Sequence, residues 1–205
     1  KGTPIINLIQ IEKGERVSAV IPVKEFDHER FLFFATKKGI IKKTTLESYE
    51  NIRKGGLIAV NLREDDELIG VRLTDGQQEI IMGTQKGMSV RFNEGDVRTM
   101  GRNATGVKGI TLDDDDNVID MDVIKPNAEV LIVTANGYGK RTPVEEYRIQ
   151  SRGGKGIKTH NVTERSGHVV GLKVVEPEED LMIITTSGII IRTEMKGISV
   201  MGRYT

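Results

Sequence analysis

The sequence predicts an all-β, propeller-like fold built from repeats of about 50 residues with four strands each. Two markers recur with this period. One is an apolar run that ends in a threonine and is followed three residues later by a glycine; its threonines are Thr36, Thr84, Thr134 and Thr185. The other is a short apolar strand that follows a polar turn and begins at Val17, Leu68, Val118 or Val169. Both markers keep the same phase, and a linear β-solenoid is disfavoured because its repeats are much shorter.

Each unit is expected to begin with a hairpin. Its first strand is a continuous apolar run, Phe31–Thr36 in the first complete unit, which is typical of a strand buried on both faces. Its second strand is Ile40–Thr44. The turn between them has glycine at its second position and therefore predicts a type I′ turn. The four turns are Lys38-Gly39, Lys86-Gly87, Asn136-Gly137 and Ser187-Gly188.

The second half of each unit is expected to supply the other two strands. A polar connector, Leu46–Lys54, is predicted to be irregular or to form one helical turn. The third strand is predicted near Leu57–Leu62. The turn Arg63–Asp66 then leads into the fourth strand, Glu67–Leu73.

The repeat divides the 205 residues into one repeat domain that begins and ends inside a unit. We expect a longer parent array, because an open array exposes strand edges. The units are approximately 1–25 (second half only, third and fourth strands), 26–76, 77–126, 127–176 and 177–205 (first half only).

Composition excludes several classes of protein. The chain has no cysteine, which excludes a disulfide scaffold and a thiolate metal site. No apolar run approaches the roughly 20 residues of a membrane-spanning helix. The 30 basic and 30 acidic residues balance, so the chain is not a uniformly basic nucleic-acid binder. No nucleophile with its base, no metal-ligand spacing and no calcium-loop spacing is found, and Asp113–Asp116 is interpreted as a solvated turn.

Basic residues nevertheless recur at fixed phase. Seven residues after the marker threonines come Lys43, Arg91, Arg141 and Arg192, and eighteen residues after them come Lys54, Arg102, Arg152 and Arg203. Strand alternation predicts that the first set points away from the core, and the second set falls in the connectors. We interpret the two sets as a basic stripe that follows a phosphate backbone without reading bases. The alternative is that these charges merely protect strand edges from aggregation.

One glycine-rich stretch carries two basic residues. It consists of Gln150, Ser151, Arg152, Gly153, Gly154, Lys155 and Gly156, and we call it the glycine loop. Its glycines allow close approach of a partner and leave N–H groups free for phosphate. Weaker echoes occur at Arg102–Gly109, which includes Lys108, and at Arg53–Gly56. The alternative is a flexible connector.

Four segments carry a resemblance to a known family: Arg63–Leu73, Met100–Ile110, Asn136–Thr142 and Glu178–Ile184. With them, essentially the whole chain resembles the C-terminal DNA-wrapping domain of the gyrase A and topoisomerase IV family. The resemblance implies a six-bladed β-pinwheel with a basic rim around which DNA wraps with a positive hand. The glycine loop is similar to the family's gyrase A box, except that Ser151 replaces its first arginine. Because the family's box lies in the first blade, the glycine loop is interpreted as a box-like loop of an inner blade that contacts DNA.

The resemblance also implies partners and a setting. The expected partners are duplex DNA, the N-terminal breakage-reunion part of the same polypeptide and the gyrase B protein, in the bacterial cytoplasm at the nucleoid and without a membrane. No catalytic residue, metal or cofactor is expected in this chain, whereas ATP and Mg would serve the holoenzyme in negative supercoiling. Two alternatives remain: a topoisomerase IV domain, which serves decatenation, and a propeller that acts as a protein-interaction scaffold. The absence of tryptophan disfavours the scaffold, since WD40 and kelch repeats normally carry it.

Overall fold

Every regular element of the structure, a computed structural model that describes residues 2–53 and 55–205, is a β-strand or a short 3₁₀ turn. In the described part of the chain no helix is long and apolar enough to cross a membrane. The 3₁₀ turns are Ile5–Asn7, Leu46–Tyr49, Glu94–Asp96, Val144–Glu146 and Met195–Gly197. The strands are β1 (Phe31–Thr36), β2 (Ile40–Thr45), β3 (Leu68–Thr74), β4 (Glu79–Thr84), β5 (Met88–Asn93), β6 (Val107–Lys108), β7 (Val118–Val123), β8 (Glu129–Thr134), β9 (Gly139–Pro143), β10 (Ile157–Lys158), β11 (Val169–Val175), β12 (Asp180–Ile184) and β13 (Ile190–Glu194).

The strands form four small antiparallel sheets, and each sheet contacts the next one along the chain. Their orders are β3-β1-β2-β6, β10-β5-β4-β7, β11-β8-β9 and β12-β13. The first two sheets each take one edge strand from the next unit: Val107 of β6 pairs with Ile41 of β2, and Ile157 of β10 pairs with Ser89 of β5. At the opposite edges β3 contacts β7, and β7 contacts β11. The β3, β7 and β11 edges therefore lie inside the array, and the β6 and β10 edges form its outer rim.

The threonine–glycine marker is explained by hydrogen bonds within the hairpin turns. In the first hairpin the Gly39 N–H donates to the Thr36 carbonyl at 3.0 Å, and the Ile40 N–H donates to Thr36 Oγ1 at 3.1 Å. Gly39 has a φ of 82°, whereas Lys38 is not among the positive-φ residues. The predicted type I′ turn is therefore wrong, because that turn needs positive φ at two successive residues. A single left-handed glycine that ends the turn fits the three-residue hairpin loop with its bulge.

The core lies between neighbouring sheets rather than within one unit. One buried cluster joins Phe33 of β1 to Ile80 and Met82 of β4, and a second joins Ile81 of β4 to Ile132 of β8. Because β4 contributes opposite faces to the two clusters, its sheet, β10-β5-β4-β7, is buried on both sides. This explains the continuous apolar runs that mark the first strand of each unit.

Two predicted strand regions are not strands. Residues 57–62 and 2–25 contain no β-strand. In the later units, the third strand pairs with the hairpin of the preceding unit, as β6 does with β2. The described part of the chain contains no hairpin ahead of β1, so residues 57–62 and 2–25 have no strand to complete their hydrogen bonds.

Candidate nucleic-acid interface

The basic residues seven positions after the marker threonines do not point into solvent, with one exception. Lys43 and Arg141 are each 6% exposed, and Arg91 is half-buried. The ammonium of Lys43 donates to the Glu94 carbonyl at 3.0 Å and lies 5.1 Å from the centre of the Phe31 ring. Burial lowers the pKa of Lys43, and the Glu94 carboxylate opposes that shift. The prediction that these side chains face away from the core is therefore wrong.

Arg91 and Arg141 are held by protein groups in the same way. The Arg91 guanidinium donates to Glu79 Oε2 at 2.7 Å and to the Val144 and Tyr147 carbonyls at 2.8 and 2.9 Å. The Arg141 guanidinium is paired with Glu129 and donates to the Ile198 carbonyl at 2.9 Å. Their charges are neutralised and their donors are used, so they do not form an open phosphate site.

The cause is that the connector of the following unit docks along the free edge of each second strand, where it forms a short parallel bridge. Met100 donates its N–H to the Lys43 carbonyl at 2.8 Å, and Gln150 donates to the Arg91 carbonyl at 2.7 Å. Met201 donates to Arg141 in the same manner at 2.8 Å. Arg192 is the exception: among the described residues no connector docks on β13, and its side chain is 75% exposed and forms an ion pair with Asp180. Alternation along a strand predicts two faces, but it does not predict what covers the second face.

The connector arginines do reach the surface. Arg102, Arg152 and Arg203 are half-exposed, and Lys54 lies outside the described residues. Arg152 Nη1 donates to the Lys108 carbonyl at 3.0 Å, and Arg203 Nη1 donates to the Lys158 carbonyl at 2.9 Å. The structure thus brings each of these two arginines beside an exposed lysine on an outer-edge strand, once on β6 and once on β10.

These residues form a surface that we call the outer basic row. Lys108 was predicted, whereas Lys158 was missed, although it stands about 50 residues later in the same phase and the sequence carried that signal. Lys155 belongs to the row by position and is 72% exposed, with its ammonium 3.0 Å from Asp113. Arg102 occupies the equivalent connector of the unit before. The outer basic row is Arg102, Lys108, Arg152, Lys155, Lys158 and Arg203.

The glycine loop is a fixed strap between units rather than a flexible connector. The Gly153 N–H donates to the Gly109 carbonyl at 2.7 Å, and Thr111 donates from its N–H to the Gly154 carbonyl at 2.8 Å and from Oγ1 to the Gly153 carbonyl at 2.6 Å. Gly156 has a φ of 78°, and a Cβ at that position would lie 2.1 Å from the Ser89 carbonyl oxygen. Gly153 and Gly156 therefore serve the packing of loop on sheet, while Ser151, Gly154 and Lys155 remain exposed.

Sequence analysis did not identify two buried lysines that hold the connectors. Lys42 is 1% exposed and donates to the carbonyls of Ala59, at 2.6 Å, and Arg102; Lys140 is 4% exposed and donates to the carbonyls of Gly202 and Arg203 at 2.7 and 3.0 Å. Burial lowers the pKa of each to about 8, and a connector arginine adds to the shift. Their signal was the double-basic pairs Lys42-Lys43 and Lys140-Arg141 inside apolar strands.

The acidic turns are partly buried and also structural. Asp116 is 8% exposed, and its Oδ1 accepts a hydrogen bond from the Lys86 N–H at 3.0 Å; Asp66 holds the Lys38 N–H in the same way at 2.9 Å. Asp113 to Asp115 are exposed, as the solvated-turn interpretation requires. In the residues that the structure describes, no group of three His, Cys, Asp or Glu side chains could hold a metal ion.

Comparison with known proteins places this geometry in one family. Residues 30–75, 78–125, 128–176 and 179–205 match the family described as DNA gyrase C-terminal domain, beta-propeller. The DNA gyrase A protein of Halalkalibacterium halodurans is 69% identical over 205 residues, which are 100% of this chain and 25% of that protein. The chain thus spans about a quarter of the length of the curated relatives that it matches.

Two solved structures share the fold. A DNA topoisomerase IV C-terminal domain matches with a TM-score of 0.93 at 28% identity, over 100% of this chain and 64% of its own. A DNA gyrase A C-terminal domain matches with a TM-score of 0.89 at 25% identity, over 99% and 68%. These matches confirm the resemblance drawn from the sequence and the all-β pinwheel built from repeats of about 50 residues. The chain belongs to the DNA gyrase C-terminal domain family.

Proposed function

We propose that this chain binds, bends and wraps duplex DNA along the outer basic row, and that it serves negative supercoiling as part of DNA gyrase. The observation that carries the proposal is the repeated pairing of Arg152 with Lys108 and of Arg203 with Lys158 on the outer edges of successive sheets. Cations that recur once per unit along one edge can follow a phosphate backbone, which attracts them without regard to base sequence.

The proposed interface differs from the stripe that the sequence predicts. Lys43, Arg91 and Arg141 are left out because protein carbonyls and carboxylates occupy their donors. Arg192 is left out because it stands in the same phase as these three residues, on the second strand of its hairpin, along whose edge connectors dock in the earlier units. The surface contacts come instead from the connectors and from the two-residue strands β6 and β10.

The rest of the proposal concerns the protein to which this chain would belong. The matched relatives are about four times longer, so their remaining length would supply the breakage and rejoining of DNA. We infer partnership with the N-terminal part of the same polypeptide and with the gyrase B protein, use of ATP and Mg by the holoenzyme only, and a place at the bacterial nucleoid in the cytoplasm.

A topoisomerase IV domain is the second candidate, because a structure of that name gives a TM-score of 0.93. The 69% identity to a DNA gyrase A protein favours the first. The two are separated by a holoenzyme assay, since a gyrase introduces negative supercoils into relaxed circular DNA and a topoisomerase IV decatenates linked circles without doing so. A propeller scaffold would do neither and would not bind DNA.

The direct test is a binding titration against duplex DNA of two unrelated sequences at several salt concentrations. If four to six phosphates are contacted, log K against log salt falls with a slope of about −4 to −5. Lys158→Ala should make this slope shallower by about 1. The matched control is Lys125→Ala, which removes an exposed lysine that follows the inner-edge strand β7 of the same sheet. A slope near zero would contradict the proposal.

A further inference from the structure

Lys43, Arg91 and Arg141, which do not belong to the outer basic row, contact the connectors that carry its arginines. Arg91 on β5 binds the next unit's connector at three points: its guanidinium donates to the Val144 and Tyr147 carbonyls at 2.8 and 2.9 Å, and its carbonyl accepts the Gln150 N–H at 2.7 Å. Arg152 follows two residues later. The position of the outer arginine is therefore fixed by contacts that begin at Arg91.

The same arrangement recurs one unit earlier. Lys43 donates to the Glu94 carbonyl at 3.0 Å and accepts the Met100 N–H at 2.8 Å, and Arg102 follows two residues after Met100. In each case the side chain holds the start of the connector and the main chain holds its end.

The unit after Arg91 repeats the arrangement once more. Arg141 donates to the Ile198 carbonyl at 2.9 Å and accepts the Met201 N–H at 2.8 Å, and Arg203 follows two residues after Met201. In three successive units, therefore, a connector arginine is preceded by the same two contacts, one hydrogen bond from a basic side chain and one to the carbonyl of that residue.

The charge of each arginine in this position is balanced within its own hairpin. Glu79 forms a diagonal ion pair with Arg91 across the β4–β5 pair, and Glu129 forms one with Arg141 across the β8–β9 pair. The carboxylate orients the planar guanidinium, whose remaining N–H groups then point at the connector carbonyls. A neutralised guanidinium adds little attraction for phosphate, so its contribution must be geometric.

We infer that Lys43, Arg91 and Arg141 are positioning residues, which set where Arg102, Arg152 and Arg203 of the following unit stand and thereby fix the spacing of the outer basic row. The effect on DNA binding rests on the proposed function. The contacts of Lys43, Arg91 and Arg141 with the connectors do not depend on it. Arg192 stands at the same phase and contacts no connector within the described residues, so it serves as an internal comparison.

The test uses the 205-residue chain and four variants: Arg91→Met, Arg91→Lys, Arg192→Met and Arg152→Ala. Two quantities are measured, the hydrogen-exchange protection of the Gln150 and Gly153 amides and the salt slope of duplex DNA binding. Arg91→Met should lower that protection by about a hundredfold, because two hydrogen bonds from a charged donor are lost, while the amides of β8 keep theirs. Its salt slope should become shallower by about 1, as for Arg152→Ala.

Arg91→Lys should recover part of both losses, since Lys43 fills the same position with a single contact. Arg192→Met should match the wild type in both measurements. The inference is overturned if Arg91→Met leaves the Gln150 and Gly153 amides as protected as before, or if Arg192→Met weakens DNA binding as much as Arg91→Met, which would indicate direct contact with phosphate.

The two readouts keep the inference separate from the proposed function. If the wild-type chain binds no DNA, the proposed function fails, and the amide protection still decides whether Arg91 holds the connector. If Arg91→Met does not fold, Lys43→Met decides the same question through the Met100 amide.

Discussion

Arg152 Nη1 donates a hydrogen bond to the main-chain carbonyl of Lys108 at 3.0 Å, although the two residues belong to successive units. The contact sets a cation from a connector beside a cation from an outer-edge strand. Both side chains reach the surface, where solvent screens the repulsion between like charges. The proposed function assigns this pair to phosphate binding.

Removing one member of the next pair should separate binding from folding. Arg203→Ala should make the salt slope of DNA binding shallower by about 1. The same change should cost on the order of 0.5–1.5 kcal/mol of unfolding free energy, because one hydrogen bond to the Lys158 carbonyl is lost. A salt titration and a urea denaturation series measure the two effects. Loss of several kcal/mol with unchanged binding would mark Arg203 as structural.

The glycine loop should tolerate alanine at one glycine and reject it at another. Gly156→Ala should destabilise the fold by about 2 kcal/mol or more, because its Cβ would meet the Ser89 carbonyl oxygen at 2.1 Å in a left-handed backbone. Gly154→Ala is the matched control, since nothing lies within 4 Å of its Cβ. Thermal denaturation compares the two, and equal melting temperatures would mean that the strap is not packed as described.

The buried lysines should make stability rise with pH in an alkaline window. Burial lowers the pKa of Lys42 and of Lys140 from 10.5 to about 8. Between those values the unfolded chain keeps protons that the folded chain has released, so the unfolding free energy rises with pH, by at most about 1.4 kcal/mol per pH unit for each lysine. Below pH 8 both states are protonated, and this contribution is flat.

Two buried tyrosines set the upper end of the pH range in which stability rises. Burial raises the pKa of Tyr49 and Tyr147 above 10, so the folded chain keeps protons that the unfolded chain releases, and stability falls at higher pH. Urea denaturation from pH 7 to 10 measures the rise. The double variant Lys42→Met/Lys140→Met should flatten it, and an unaltered pH slope in that variant would contradict the assignment.

The hairpins could be predicted from the sequence because their determinants are local. A threonine hydroxyl that accepts an N–H four residues later and a glycine with positive φ are needed at every turn, so Thr36 and Gly39 recur with the repeat. The phase of the basic residues was equally visible. What each side chain contacts was not, because that depends on a neighbouring unit about 50 residues away.

Lys43 illustrates the limit. Its alternation with Lys42 along β2 predicts one face inward and one outward, yet both side chains are buried. The covering groups come from the connector around Glu94 and Met100 and from Arg102, which only the folded array brings there. The third strand predicted near Leu57–Leu62 is absent for the same reason, since its counterpart β6 exists only as a partner of β2.

The central claim, that DNA follows the outer basic row, is tested most directly by topology. Closed circular DNA is relaxed by a type I topoisomerase in the presence of the chain, the protein is removed, and the change in linking number is counted. Bending a 20–30 base-pair site costs about 1–6 kcal/mol, which phosphate contacts must offset. The account predicts a small positive shift with the wild-type chain and with Lys125→Ala, and none with Arg152→Ala/Lys158→Ala/Arg203→Ala. A shift that survives the triple substitution would contradict it.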